Sequence, residues 1–180
     1  MKKYWKVINL NKRYFLKVGN KTYNCQVGSG GLQNVAKKVE GDNTTPTGKW
    51  VLNTIYYRPD RVLRPKFKKK NILKIKKITK NCGWCDDIRC HYYNKYIRID
   101  NVRSSDINYE KLWRDDEAYD ILIVISHNIQ PTIRNKGSAI FIHCSFFDNR
   151  NTGGCIALNK KDLIFLIHKL KSKILIKIPN

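Results

Sequence analysis

A histidine and a cysteine twelve residues apart, in the run SAIFIHCSFFDNRNTGGCIAL (Ser138 to Leu158), are the side chains of this sequence best suited to chemistry. A cysteine attacks as its thiolate, and an ordinary thiol with a pKa of about 8.5 is mostly protonated at neutral pH unless an imidazole or backbone dipoles stabilise the anion. His143 could give Cys155 that help. The glycines just before the nucleophile, Gly153 and Gly154, let backbone N–H groups face the site without side chains in the way, so the same turn could form an oxyanion hole. A core imidazole and a buried thiol fit the same spacing, and the two residues alone leave both readings open.

Residues of this kind must be positioned, and the hydrophobic pattern predicts a mainly β scaffold with one or two helices. Tyr4 to Leu10 and Arg13 to Val18 alternate around a polar turn, and Gly19-Asn20 predicts a tight hairpin into Lys21 to Val27. Trp50 to Tyr57, Ile97 to Ile99, Ile121 to Ser126 and Ala139 to His143 read as further strands, several apolar enough to be buried on both faces. A helix follows the cysteine. Asn159 is its N-cap, Asp162 lies near the positive end of its dipole, and Leu163, Ile164, Leu166, Ile167 and Leu170 share one face as core packing. His168, towards the end of that helix, is structural or on the surface, and Ile174 to Ile178 closes the chain as a strand. No linker or repeat interrupts the loops between these elements. Residues 1–180 are therefore expected to form one domain, a β-sandwich or partly open barrel packed against the helix.

Composition narrows the class. With 180 residues, 42% of them hydrophobic, the chain can bury a single core without help from disulfides or metals. The net charge of +22 invites a nucleic-acid reading. The excess is mostly Lys spread along the chain with abundant Ile and Asn, a pattern that an AT-rich genome produces unaided, so no nucleic-acid partner is expected. The densest run, Lys66 to Lys77, reads as a solvated loop or edge strand, or as a surface attracting an anionic polymer. Cys82, Cys85, Cys90 and His91 have ligand-like spacing for a structural zinc. A redox Cys-x-x-Cys would open a helix, whereas Cys82 and Cys85 sit between loop-like residues; small, partly buried thiols are the simpler reading for Cys82 and Cys90, with no metal or other cofactor expected. No run is long enough to span a bilayer, and the first residues alternate apolar and charged side chains instead of forming a signal peptide.

Segments spread along the whole chain carry a resemblance: CQVGSGG (Cys25 to Gly31), KKVEGDNTTPTGKW (Lys37 to Trp50), YYRPDRV (Tyr56 to Val62), CGWCDD (Cys82 to Asp87), Tyr93-Asn94, LWRDDEAYD (Leu112 to Asp120), GSAIFIH (Gly137 to His143) and TGGCIAL (Thr152 to Leu158). In this order they resemble the L,D-transpeptidase catalytic domain of the YkuD type, in its short single-domain branch. The resemblance implies that family's mixed β-sandwich with a site in a cleft at one end. It implies Cys155 as nucleophile, His143 as base with the Cys144 carbonyl orienting the imidazole, and the N–H groups of Gly154 and Cys155 as oxyanion donors. Thr152 and Gly153 fall where the family contacts turn or substrate.

Two departures stand out. Gly153 replaces a second histidine common in the family, and Ala157 replaces a common arginine. Arg114, Arg58 and Arg61 are the candidates to bind a substrate carboxylate in that arginine's place, or else pair with Asp60, Asp115 or Asp116. Asp86, Asp87, Asn94 and Asn128 are candidates for peptide contacts or for loop architecture, and His127 for neutral packing. The implied reaction is thioester formation on a peptidoglycan stem peptide and transfer to a diaminopimelate amine, giving 3-3 or 1-3 cross-links. Water as acceptor would make the enzyme an L,D-carboxypeptidase. The expected protein is a monomer that does not insert into a membrane. Its substrate points to the cell envelope or periplasm, whereas the first residues leave a cytoplasmic alternative.

Overall fold

The computed structural model describes residues 4–67, 73–102, 107–170 and 174–180. Its strands, in chain order, are β1 (Tyr4–Leu10), β2 (Arg13–Val18), β3 (Lys21–Gln26), β4 (Leu32–Gln33), β5 (Thr45–Pro46), β6 (Gly48–Tyr57), β7 (Lys74–Lys77), β8 (Cys82–Cys85), β9 (Tyr96–Arg98), β10 (Tyr109–Lys111), β11 (Ile121–Ile125), β12 (Phe141–Cys144), β13 (Ile156–Leu158) and β14 (Leu175–Ile178), with one α-helix, α1 (Lys160–His168). Nine of them form one mixed sheet in the order β11-β12-β13-β3-β2-β1-β14-β6-β7, and β11 also pairs with β6. That extra pairing closes a barrel-like ring and leaves β7 outside it, so the expected mainly β, sandwich-or-barrel class holds. The β1–β14, β12–β13 and β6–β7 pairs are parallel.

Side-chain alternation divides the interior into two cores. On β11, Ile121, Ile123 and Ile125 join one cluster and Leu122 and Val124 the other, so the strand is buried on both faces. The larger cluster gathers Trp5, Val7, Leu16 and Ile142 of the ring with Leu163, Leu166, Ile167 and Leu170 beside them. Asn159 caps α1 by accepting from Lys161 N, and the buried residues of α1 are those the apolar stripe predicts. The smaller cluster lies between the outer side of β11, β12 and β6 and a separate three-stranded sheet, β10-β8-β9. Its members include Tyr56, Trp84, Tyr119, Phe141 and Cys155. The cysteine therefore sits at the seam between ring and small sheet.

Several strands differ from expectation, most by one or two residues at an end, and three of the differences bear on the site. The strand carrying His143 starts at Phe141 instead of Ala139, because Ala139 adopts a left-handed conformation (φ 51°) that no strand contains. Cys82–Cys85 is a strand, fully buried, where loop-like neighbours suggested none. Ile156–Leu158 is a strand too short for its own period to announce. The Lys66 to Lys77 run lies partly outside the described residues, and its end, β7, pairs with β6 as an edge strand.

Candidate active site

Pairing of β12 with β13 places the two candidate residues, His143 and Cys155. The parallel register sets Ile142 beside Ile156 and His143 beside Ala157, so Phe141 lies alongside Cys155. Period-two alternation turns Phe141 and His143 to the same side, away from Ile142 and Cys144 in the larger core. The His143 and Cys155 side chains line one cavity of about 250 Å³ with Glu40, Asp86, Glu110, Arg114, Tyr119, Ser138, Phe146, Thr152 and Gly153.

The cysteine turn is held by backbone from distant segments. Thr152 N donates to Val27 O at 3.0 Å and Ser29 N to Thr152 O at 2.9 Å, forming a bridge alongside Gly28. Thr45 Oγ1 accepts from Gly28 N and donates to Gly154 O, both at 2.8 Å. This contact requires a glycine at 28, where a Cβ would fall 2.2 Å from Asn43 O. The neighbouring loop is organised by Asp42, which accepts from Lys38 Nζ, Val39 N, Thr44 N and Thr44 Oγ1. The GDNTTPTG segment thus bears on the cysteine turn through Thr45.

Within the turn, Thr152 Oγ1 donates to Cys155 O at 2.6 Å and accepts from Gly154 N at 3.1 Å. The Gly154 amide, expected as an oxyanion donor, thus donates to Thr152 Oγ1 in this structure. Among the described residues the amides of Gly153 and Cys155 donate to no hydrogen bond, which makes them the available donors beside the thiol.

His143 Nδ1 lies 2.7 Å from the Cys144 carbonyl oxygen. A carbonyl only accepts, so Nδ1 carries the proton and Nε2 keeps its lone pair as the basic nitrogen. Tyr119 and Phe146 meet the imidazole edge-on. Cys155 Sγ donates to Ala139 O at 3.1 Å and accepts from Phe141 N at 3.3 Å. No hydrogen bond joins imidazole and thiol among the described residues, as in many unliganded sites whose catalytic bonds form only around substrate. Burial pushes the Cys155 thiol up to about 12, with the Phe141 amide opposing, and pushes His143 down to about 4, with the Cys144 carbonyl opposing. The resting pair is thus neutral thiol and neutral imidazole, not the ion pair that a free-standing thiolate would need.

Of the substrate-binding candidates, Thr152, Gly153, Arg114 and Asp86 reach the cavity. Arg58 and Asn94, expected on the substrate side, do not line it. Arg58 is buried, pairs in a fork with Asp60 at 2.9 and 2.7 Å, donates to Arg114 O and stacks on Trp113 with its guanidinium carbon 3.5 Å from the ring centre. Asn94 accepts from Trp84 Nε1 and Ala139 N and donates to the carbonyls of His127 and Asn128, so its amide organises loops. Arg61 pairs with the fully buried Asp120, which Lys160 also meets. Asp87 and Asn128 likewise bond to loop backbone, and His127 is buried against Trp50. Arg114 does face the cavity, but Asp116 and Glu110 already engage its guanidinium at 2.6 to 2.9 Å.

Sequence reading missed Glu40, Glu110, Tyr119, Ser138 and Phe146, all of which line the cavity. Each lies inside or beside a resembling segment, yet only folding shows which of its residues face inward. As for zinc, no three His, Cys, Asp or Glu side chains among the described residues are grouped to hold a metal, and Cys82 Sγ is engaged by Thr79 and Tyr96. None of the described helices is long and apolar enough to cross a membrane.

A family model described as the YkuD L,D-transpeptidase catalytic domain matches residues 3–178. No curated protein and no solved structure matches the chain.

Proposed function

The chain belongs to the L,D-transpeptidase catalytic domain family, and from that premise we propose that it acylates itself on Cys155 with a peptidoglycan stem peptide and passes the acyl group to a diaminopimelate amine. The observation that carries this reading is the shared cavity of Cys155 and His143, with unbonded amides of Gly153 and Cys155 at the nucleophile. The neutral resting pair makes proton transfer part of the attack: His143 Nε2 takes the thiol proton as sulfur bonds to the substrate carbonyl carbon, and the carbonyl oxygen takes up the electron pair. Each oxyanion donor in comparable sites contributes roughly two to three powers of ten to the rate. Collapse of the tetrahedral intermediate expels the terminal D-residue as its amine, to which the imidazolium returns the proton. The thioester then meets an acceptor amine, and the same base serves in reverse order.

Thr152, Gly153 and Arg114 belong to the substrate side of the cavity in this reading. Arg114 would meet a substrate carboxylate only by sharing its guanidinium with Asp116 and Glu110. The test is to incubate the protein with a carbapenem and map the adduct by mass. We expect a single acyl adduct on Cys155. Intact, folded protein that carries no adduct there would sink the assignment.

A further inference from the structure

Lysines that are spread along the chain gather on one face of the ring. The registers of β6, β14, β1 and β2 set Lys49 opposite Lys177, Lys177 opposite Lys6 and Lys6 opposite Lys17, so four lysines stand in one row across four neighbouring strands. Strands about 4.8 Å apart make that row roughly 14 Å long. Residues directly opposite share a face of the sheet, and the alternating Trp5, Val7, Leu16 and Ile176 turn into the larger core, so the row points outward, where all four lysines are exposed. None of the 14 acidic residues lies on β1, β2, β3, β6 or β14, and among the described residues none of the four lysines is in an ion pair.

The row works against the stability of the fold. Like charges directly opposite in a sheet repel, and here three successive pairs do so. The neighbouring rows are apolar. Val51 and Leu175 flank the lysines on one side and Ile8 and Phe15 on the other, all half-buried and outside both interior clusters, and Leu10 beyond Ile8 is 55% exposed. The face therefore offers ammonium groups and apolar surface together. That combination chooses between polyanions. A nucleic acid would use the lysines alone, since a sugar-phosphate chain gives Val51, Leu175 and Leu10 nothing to bury against, whereas an anionic bilayer supplies phosphates with acyl chains just beneath them. Position in the ring adds a direction: β1 stands four strands from β12 either way round, so the face lies across the ring from the cavity.

We propose that the outer face of β6, β14, β1 and β2 docks the protein on the surface of a bilayer rich in anionic phospholipid, with the cavity turned away from the lipid. The contact is peripheral. Lysines meet headgroup phosphates, the apolar rows settle against the interface, and no element spans the bilayer. Docking uses neither Cys155 nor His143, so it stands independently of the acyl-transfer reading.

Co-sedimentation of the whole protein with unilamellar vesicles tests the face. Vesicles mixed from phosphatidylglycerol and phosphatidylcholine should bind it at low salt, vesicles of phosphatidylcholine alone should not, and added salt should weaken the binding. Lys6→Gln, Lys17→Gln and Lys177→Gln together should lower vesicle affinity about 100-fold, at roughly fivefold for each lysine near a charged surface. The same loss of charge at exposed positions off the face, Lys95→Gln, Lys111→Gln and Lys161→Gln, should cost about 10-fold or less. Relief of repulsion should leave the row variant at least as resistant to urea as the unmodified protein, which separates lost binding from lost folding. Leu10→Asn, at an exposed position, should weaken binding about threefold with its salt dependence unchanged. Equal losses from the two triple variants would reduce the effect to diffuse net charge and overturn the proposal, as would failure to bind the anionic vesicles. Duplex DNA supplies the remaining outcome: a row variant that loses DNA affinity but keeps its vesicle affinity assigns the face to nucleic acid, and the proposal fails.

Discussion

The two walls of the cavity are held by different forces. The wall carrying Cys155 and His143 belongs to the closed ring, where β12, β13 and the segments around Gly28 and Thr45 are joined by main-chain hydrogen bonds and threonine hydroxyls. The other wall, with Asp86, Glu110 and Arg114, comes from the small sheet and its loops, where ion pairs such as Arg114–Asp116 and Arg89–Asp87 add to the main-chain ladder and Arg58, just after β6, donates to Arg114 O. Main-chain bonds tolerate many changes of side chain, whereas a charged wall can be rewritten by single substitutions. In the proposed reading, the chemistry falls on the durable wall and the selectivity on the adjustable one.

The largest effect that would test this contrast is at the nucleophile. Cys155→Ala should lower turnover of purified muropeptides by about four powers of ten or more with the circular dichroism spectrum unchanged, while Cys82→Ala keeps turnover. Equal losses from the two would mean that the small sheet takes part in the chemistry.

Protonation should separate the walls next. His143 and His127 are buried with pKa values lowered to about 4, so between there and 6.5 the unfolded chain binds protons that the native state does not. Their contribution to stability is complete above pH 6.5 and is lost as pH falls towards 4, at about 3 kcal/mol for each. Asp86 works in the opposite sense. Its raised pKa means that the native state binds the proton first, so it offsets part of the loss as pH falls through 6. Urea unfolding at pH 7 and pH 5 should show a net loss in acid that becomes steeper in Asp86→Asn protein; a shallower slope in that variant would contradict the assignment.

Thr45→Val probes the main-chain wall itself. It leaves Gly28 N–H and Gly154 C=O without partners and should cost about 1–3 kcal/mol in denaturant unfolding, with a fall in kcat. Arg58→Ala should cost somewhat less, about 1–2 kcal/mol from lost stacking and packing. Its effect should appear in KM through the Arg114 loop before it appears in kcat. A change confined to kcat would place Arg58 nearer the chemistry than its contacts imply.

How far the molecule was legible in sequence follows the same division. Strands with clean alternation, and the helix with its asparagine cap, announce themselves because their pattern is local. The Cys155–His143 pair was legible for a related reason, since one short segment contains both. Asp86 and Arg114 were found as types, and Asp60 and Asp116 as possible partners of the arginines, but not which arginine faces the cavity, because Arg58 with Asp60 and Arg114 with Asp116 look alike in sequence and only the fold turns one inward. Glu40 and Glu110 are 70 positions apart in the chain and meet at the cavity by tertiary packing alone. Nothing in TGG foretells that the threonine hydroxyl two residues earlier will accept from the Gly154 amide.

The Thr45 hydroxyl also governs when the site comes into being. It joins segments 17 and 109 residues away, so the cysteine turn cannot be fixed by neighbours in the chain and must wait for three remote stretches to meet. Closing such long loops is entropically late work, and contacts of this range form slowly. A nascent or partly collapsed chain would thus carry Cys155 as an unremarkable thiol, and reactivity would mark completion of the fold.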